Sequence, residues 1–380
     1  MKIAVVTNSF TYCRFSLFEK MAKDKNHEIT IFKYTDWWET KSEFLEIKRW
    51  RFIGFRIPFL PNDTYFHFDY RVLKAVAREK WDAVIAYGYG SFTTWLVALV
   101  AKFRNIPFIL WSDARLEYEL IRHPMTKRLK SLLHRFADHF VASGTATKLH
   151  FQYMGIPNAD ITLAPYAIDN EAFYDHYVQW KSMSAETRQH LNISDESIIV
   201  LYIGRLVKEK GIEELITSIS HIQHTTKISL VLVGEGKDRL DFEKLIARLG
   251  LSNVIFIGHV PHAEVVQYYA IGDIFVLPSY KDVWGLVVNE AMVCGLPIIT
   301  TREVGAWRDL VGDGKNGFVI EARDVDALTQ ALLMLCKDKS IRNSMGLQSQ
   351  EIIHQWDIYH ALEKIESVLY KTGPKTCKNS

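Results

Sequence analysis

Two carboxylates, Asp282 and Glu290, stand eight residues apart in the stretch Pro278-Ser279-Tyr280-Lys281-Asp282-Val283-Trp284-Gly285-Leu286-Val287-Val288-Asn289-Glu290. The apolar run at 274–277 predicts a buried strand, ended by Pro278-Ser279, and a helix is expected to start near Gly285. Asp282 then lies in a loop and Glu290 in the first turns of the helix. Between them the backbone N–H groups of Gly285, Leu286 and Val287 point out of the helix N-terminus, where no helical carbonyl receives them. Such a terminus attracts phosphate, and the flanking carboxylates can accept bonds from hydroxyls. Phosphate with hydroxyls describes a sugar nucleotide better than a plain nucleotide. The plainer reading is a strand–loop–helix unit of any α/β domain, with Glu290 favoured by the helix dipole.

A second constellation, Gly204-Arg205-Leu206-Val207-Lys208-Glu209-Lys210-Gly211, follows the apolar run at 198–203. Gly204 permits a tight turn, and Arg205 and Lys210 offer a fork and a point charge to phosphate oxygens. Two cations matched to a diphosphate can replace a divalent metal, so no metal site and no cofactor are expected. The alternative is two solvated charges on a surface loop.

The elements that must position these groups are legible as an alternation. Short β-branched or aromatic runs at 3–6, 29–32, 83–86, 108–111, 140–142 and 161–163 are separated by helical patterns such as 16–22, 69–79 and 92–103. The second half repeats the alternation, with runs at 198–203, 229–233, 254–257, 274–277, 297–300 and 317–320 and helices such as 212–220 and 240–248. This predicts parallel sheets covered by helices, hence an α/β fold of two Rossmann-like domains facing each other across a cleft. The expected division is 1–170, 171–355 and a C-terminal segment 356–380, with 169–195 as a linker carrying one helix. Neither half shows G-x-G-x-x-G after its first strand, which disfavours dinucleotide binding of the dehydrogenase kind.

The chain of 380 residues is long enough for two cores. Its net charge of +2 argues against a general polyanion binder, so attraction to anionic surfaces must be local. The four cysteines are dispersed without a C-x-x-C pair, which fits a reducing cytoplasm. The N-terminus reads as a first strand and not a signal peptide. The longest apolar run, 95–101, is too short to span a bilayer. A cytoplasmic location is expected.

Taken together, Gly204-Arg205 with Lys210-Gly211, Val233-Gly234-Glu235-Gly236, Phe256-Ile257-Gly258-His259-Val260, and the acidic-x7-Glu stretch with Gly295-Leu296-Pro297 resemble the donor site of retaining glycosyltransferases of family 4, glycosyl transferases group 1, which have the GT-B fold. The family usually has Glu at both ends of the acidic motif, and here the first acid is Asp282. The resemblance implies that Arg205 and Lys210 hold the donor diphosphate, that Glu290 binds the ribose, and that Asp282 faces the donor sugar. It assigns the base to the backbone near Gly234, His259 and Val260. It also implies a nucleoside-diphosphate sugar donor, a glycan or lipid-linked sugar acceptor, retention of anomeric configuration, and a role in polysaccharide or glycolipid synthesis.

The first half resembles the family more loosely, through Ala137-Asp138-His139-Phe140-Val141-Ala142-Ser143 and Ala164-Pro165-Tyr166-Ala167-Ile168-Asp169. The loop carrying Asn8 and Arg14 lacks the usual glycine pair, and Ser112-Asp113-Ala114-Arg115 carries Asp113 where many members have His. Asn8, Arg14 and Asp113 are the expected acceptor-side residues. Asp113 and Asp282 are the candidate catalytic groups, and the other reading of Asp113 is a helix N-cap.

A helix starting at Pro124 is expected to bury Met125, Leu129, Leu132, Leu133 and Phe136. Lys127, Arg128, Lys130, His134 and Arg135 would lie away from that stripe. With Lys48-Arg49-Trp50-Arg51 and Arg56, this basic face is either plain solvated surface or a contact with anionic lipid at the inner membrane face. No nucleic-acid motif accompanies it. Two further readings of the fold stay open: a nucleotide-sugar epimerase, which needs no acceptor, and a non-catalytic module that binds nucleotide sugar.

Overall fold

A computed structural model describes residues 1–7, 12–33, 45–49, 53–56, 65–68, 70–88, 91–116 and 124–373. The chain divides into two compact units, one of Met1–Tyr166 with Ile358–Ser380 and one of Ala167–Asp357.

The first unit is built on a seven-stranded sheet. Its strands are β1 (Lys2–Thr7), β2 (Glu28–Lys33), β3 (Leu45–Arg49), β6 (Ala83–Tyr87), β7 (Phe108–Ser112), β8 (His139–Ala142) and β9 (Ile161–Leu163), in the order β3-β2-β1-β6-β7-β8-β9. Every pairing is parallel. A separate antiparallel pair, β4 (Ile53–Arg56) and β5 (Tyr65–Phe68), was not foreseen from the alternation. Successive side chains of a strand face opposite ways, so β1 feeds two cores. Ile3 and Val5 pack with the helices Tyr12–Asp24 and Ile358–Thr372. Ala4 and Val6 pack with the helices Tyr70–Arg78 and Phe92–Phe103. The last helix is therefore part of this unit's core, and its buried Glu366 accepts from His27, whose Nε2 lies 2.9 Å away.

The helix Pro124–His134 buries Leu133, and Phe136 packs against the core, as the apolar stripe predicts, but Leu132 is left out and two polar residues join the inner face; the side chains of Met125 and Leu129 lie outside the described residues. Lys130 and His134 are buried with Leu133, whereas Leu132 is 47% exposed. Positions 130, 133 and 134 share one helical face. The His134 ring meets Phe140 edge-on at 5.3 Å and Phe151 at 6.1 Å. Aromatic partners from β8 and the helix Thr145–Tyr153 thus draw the flat imidazole of His134 into the packed face beside Leu133. The expected basic surface loses Lys130 and His134. Arg128 and Arg135 remain exposed, and Lys127 lies over the Tyr153 ring at 3.8 Å. Trp50 and Arg51, and the side chains of Lys48, Arg49 and Arg56, lie outside the described residues.

The second unit has a six-stranded parallel sheet of β10 (Ile198–Ile203), β11 (Ile228–Val233), β12 (Val254–Gly258), β13 (Ile274–Leu277), β14 (Ile298–Thr301) and β15 (Gly317–Ile320). The strand order is β12-β11-β10-β13-β14-β15. The central strands are buried along their length, as helices on both faces require. Before this sheet the expected single linker helix is in fact two, Asn170–Ser182 and Ser184–His190. Asp169 caps the first by accepting from the Ala172 N–H at 3.1 Å, which supplies the start that the weak periodicity of 169–195 concealed.

Chain order reverses beside β10, whose neighbours are β11 and β13. Loops leaving β10 and β13 therefore meet, and Gly211 is where they touch. Its φ is +69°, and a Cβ there would lie 2.0 Å from the Pro278 carbonyl oxygen. Gly211→Ala is expected to destabilise the protein by about 2–3 kcal/mol, because a left-handed backbone and a backbone clash add. A fall in melting temperature on the order of 5–10 °C checks it, and an unchanged melting point would contradict the close approach.

Candidate functional site

In the second unit the predicted residues gather at the carboxyl ends of β10 and β13. The loop after β10 is fastened to the loop after β11: the Gly204 N–H donates to Val233 O at 2.9 Å, Leu206 N–H to Glu235 O at 2.9 Å, and Lys208 N–H to Asp238 Oδ2 at 2.8 Å. The buried Tyr202 hydroxyl donates to the Arg205 carbonyl at 2.9 Å, supporting the turn from below. Burial pushes the Tyr202 phenol up, with the nearby Asp282 charge adding to the effect, so it stays a neutral donor. Arg205 itself is exposed.

The loop after β13 is held from two sides. Tyr280 N–H donates to Glu209 O at 2.8 Å and Asp282 N–H to Glu303 O at 3.1 Å, while Asp282 O receives the Gly305 N–H at 3.0 Å. The helix Leu286–Val293 then starts from Gly285, whose φ of +87° turns the chain into it. A Cβ on Gly285 would stand 2.8 Å from Val304 Cγ1, so the turn also needs the missing side chain.

This arrangement joins Lys210 to Asp282, with Nζ 2.5 Å from Oδ2 and side chains only 12% and 19% exposed. The pairing was not legible in the spacing. The two residues were expected to serve phosphate and sugar separately, and here each neutralises the other. Arg205 is left as the open cation of the pair of cations that the sequence singled out.

Glu290 lies apart from this ion pair and is buried. The Tyr269 hydroxyl donates to its Oε2 at 2.7 Å, and His262 Nε2 is 3.1 Å from its Oε1. Neither partner was predicted, because 21 and 28 residues of chain separate them from Glu290 with no repeating pattern. Burial pushes the Tyr269 phenol well up, so it stays a donor. The hydrogen bond to Glu290 raises His262 above its ordinary value against the effect of burial. The raised value means that the pair's stabilisation is full below about pH 6.5 and is lost as pH rises through the folded-state value. His262→Gln is therefore expected to lose thermal stability relative to wild type at acidic pH, with the gap closing as pH rises. Parallel pH-dependent melting curves for the two proteins would remove the coupling. Of the residues expected near a base, Gly234 donates its N–H to Gly258 O at 2.8 Å, His259 is exposed and Val260 is half-buried.

In the first unit a second cluster forms at the carboxyl ends of β1, β6, β7 and β8. Arg14 is 5% exposed, with its guanidinium carbon 3.2 Å from the Tyr87 ring centre. Its NH2 is 3.3 Å from both Asp113 Oδ2 and the Tyr166 hydroxyl. Burial opposes the Arg14 charge, but the oxygens of Tyr87, Tyr166 and Asp113 outweigh it and hold the guanidinium above its ordinary value. Below the cage, Trp111 Nε1 donates to Ser143 Oγ at 3.0 Å and Ser143 donates to Ser112 O at 3.0 Å. Residues 113–115 are not helical, and Ala114 N–H bonds to Ser112 Oγ at 3.0 Å. Asp113 reaches Arg14, and the helical stretch that opens at 116 continues into residues outside those described. Asn8 lies outside the described residues.

Among the described residues no cluster of three His, Cys, Asp or Glu side chains is placed to hold a metal ion. Among the described residues no helix is long and apolar enough to cross a membrane.

The family described as glycosyl transferases group 1 matches residues 183–351, and Glycosyltransferase Family 4 matches residues 16–172. The sulfoquinovosyl transferase SQD2 of Arabidopsis thaliana is 28% identical over 80% of this chain and 59% of its own length. The capsular polysaccharide biosynthesis glycosyltransferase CapM of Staphylococcus aureus is 30% identical over 49% of this chain and 48% of its own. The chain thus spans only about half the length of these curated relatives. A crystal structure of Anabaena Alr3699/HepE in complex with UDP superposes with a TM-score of 0.75 at 19% identity, covering 98% of this chain and all of that one, a likeness of fold.

Proposed function

Because the chain belongs to the glycosyl transferases group 1, with the α/β two-domain fold of GT-B enzymes, we propose that it moves a sugar from a nucleoside-diphosphate sugar to a glycan or lipid-linked sugar acceptor with retention of configuration. The observation that carries this reading is the meeting of Lys210 with Asp282, three residues before the Gly285 start of the Leu286–Val293 helix, beside the point where strand order reverses, with Arg205 exposed on the same loop as Lys210. Ligands of open parallel sheets bind at that place.

The physical task is to stabilise charge that grows on the departing diphosphate. Arg205, Lys210 and the N–H groups of Gly285, Leu286 and Val287 supply positive potential for it. A phosphate arriving at Lys210 competes with Asp282, and the released carboxylate is then an acceptor for a donor-sugar hydroxyl. The leaving phosphate can take the acceptor's proton on the same face, so no protein nucleophile is required. Glu290, already oriented by Tyr269 and His262, is proposed to take the ribose hydroxyls. The backbone at Gly234 and at His259 and Val260 is proposed to border the base.

The names of the relatives, a sulfoquinovosyl transferase and a capsular polysaccharide glycosyltransferase, support glycolipid or surface polysaccharide synthesis as the context. The UDP complex of the HepE structure makes UDP-sugars the first donors to try. A cytoplasmic site of action belongs to the same proposal. So does lipid contact through Lys127, Arg128 and Arg135, for which vesicle flotation should weaken as salt rises.

The test is a thermal-shift panel of UDP-, GDP- and ADP-sugars followed by turnover with and without acceptor. A shift by one class and acceptor-dependent product are expected, and EDTA should leave turnover intact. Product from donor alone would turn the reading toward epimerisation. Binding with no turnover on any acceptor would leave a binding module.

A further inference from the structure

The Arg14 cage joins four segments that are remote in sequence. Arg14 enters from the first helix, Tyr87 from the end of β6, Asp113 from the turn after β7, and Tyr166 from the stretch after β9. Its ring faces are specific. The guanidinium lies 3.2 Å from the Tyr87 centre and 5.3 Å from the Tyr166 centre, so the planar cation rests against the Tyr87 ring with Tyr166 beside it. The side chain of Arg14 is 6% exposed, whereas that of Asp113 is 33% exposed. The cation is therefore hidden and the anion it holds is presented. Among the described residues, Arg14 is the polar partner of the Asp113 carboxylate, through Oδ2. A group meant to bind an anionic substrate directly would be arranged the other way round.

We propose that Arg14 is a positioning residue acting through Asp113: gripped by Tyr87 and Tyr166, it pins one carboxylate oxygen so that the other is aimed at a hydroxyl of the sugar substrate. The role deepens the transferase reading and rests on it. Among the described residues, the charged and titratable groups facing Asp113 are Arg14, Tyr87 and Tyr166, with Cys13 beside the guanidinium. Burial holds the Tyr87 phenol well up, so it serves as a neutral ring face. Because the carboxylate is tethered at one oxygen, a neutral or hydroxyl-rich ligand is the chemistry it suits. A phosphate or carboxylate would meet a like charge with the compensating cation on its far side.

The clamp is read without turnover by a double-variant cycle in melting temperature. Arg14→Met places an unbranched apolar side chain between the two rings. Asp113→Asn removes the anion. The double variant is expected to melt with the lower of the two single variants, because both changes break one interaction. The same cycle is then run in transfer kinetics. Arg14→Met is expected to lower kcat by roughly 10- to 100-fold, the scale of a misplaced group near a reacting centre, with the nucleoside-diphosphate Kd unchanged. The double variant should have a kcat no lower than that of Asp113→Asn alone. Arg14→Lys should recover part of kcat by keeping the charge without the fork.

Additive melting shifts would overturn the clamp, whatever the protein catalyses. Coupled melting with additive kinetic losses would also overturn the proposal, leaving Arg14 a structural residue. Coupled melting in a wild type that transfers no sugar would remove the transferase reading, and the assigned role with it.

Discussion

Lys210→Ala is expected to lower kcat/KM by roughly 30- to 1,000-fold, equivalent to about 2–4 kcal/mol. Two effects combine. The diphosphate loses a cation whose value grows as the glycosidic bond breaks, and Asp282 loses the ammonium that lies 2.5 Å from it. With a side chain only 19% exposed, Asp282 would then keep its charge without the adjacent ammonium, close to the site of phosphate binding. Arg205→Ala should act through the first effect alone, since Arg205 is exposed and, among the described residues, its loss strands no buried charge partner. Calorimetry with the nucleoside diphosphate set beside transfer kinetics separates the effects. Removing Asp282 as well should restore part of the nucleotide affinity lost in Lys210→Ala without restoring transfer. Wild-type kinetics in both Arg205→Ala and Lys210→Ala would remove the diphosphate assignment altogether.

Asp113→Asn should slow transfer by roughly 10²-fold while nucleotide affinity stays the same. Asparagine keeps the shape but loses the charge-assisted bond that a carboxylate gives a hydroxyl, and it leaves a buried guanidinium without its anion. Glu290→Gln is the internal contrast. Its partners are Tyr269 and His262, so it should weaken nucleotide binding, with a smaller loss of about 1–3 kcal/mol. Full transfer by Asp113→Asn would move the role to another side chain of the first unit. Nucleotide binding by Glu290→Gln as tight as wild type would mean that the 282–290 stretch faces its ligand differently.

By itself the sequence determined the kind of fold and the elements that carry the chemistry. The runs at 198–203 and 274–277 are strands, the helix begins beside Gly285, and the β-branched alternation produces parallel sheets in both halves. These follow from local rules, since strand and helix periods and turn residues act within a few neighbours. What the tertiary structure decided is who meets whom. Lys210 reaches Asp282 because β10 and β13 become neighbours, although β11 and β12 lie between them in the chain. Arg14 reaches Asp113 across β1, β6 and β7, and Glu290 finds Tyr269 and His262 from the segment ahead of β13. The helix Pro124–His134 buries Lys130 and His134 in place of Leu132, because Phe140 and Phe151 stand where its inner face must pack. Strand order and packing partners are set by the burial of whole faces at once. Residue spacing along the chain therefore carries no record of which charge will end beside which, and the ion pairs that tune the candidate site were visible only after folding.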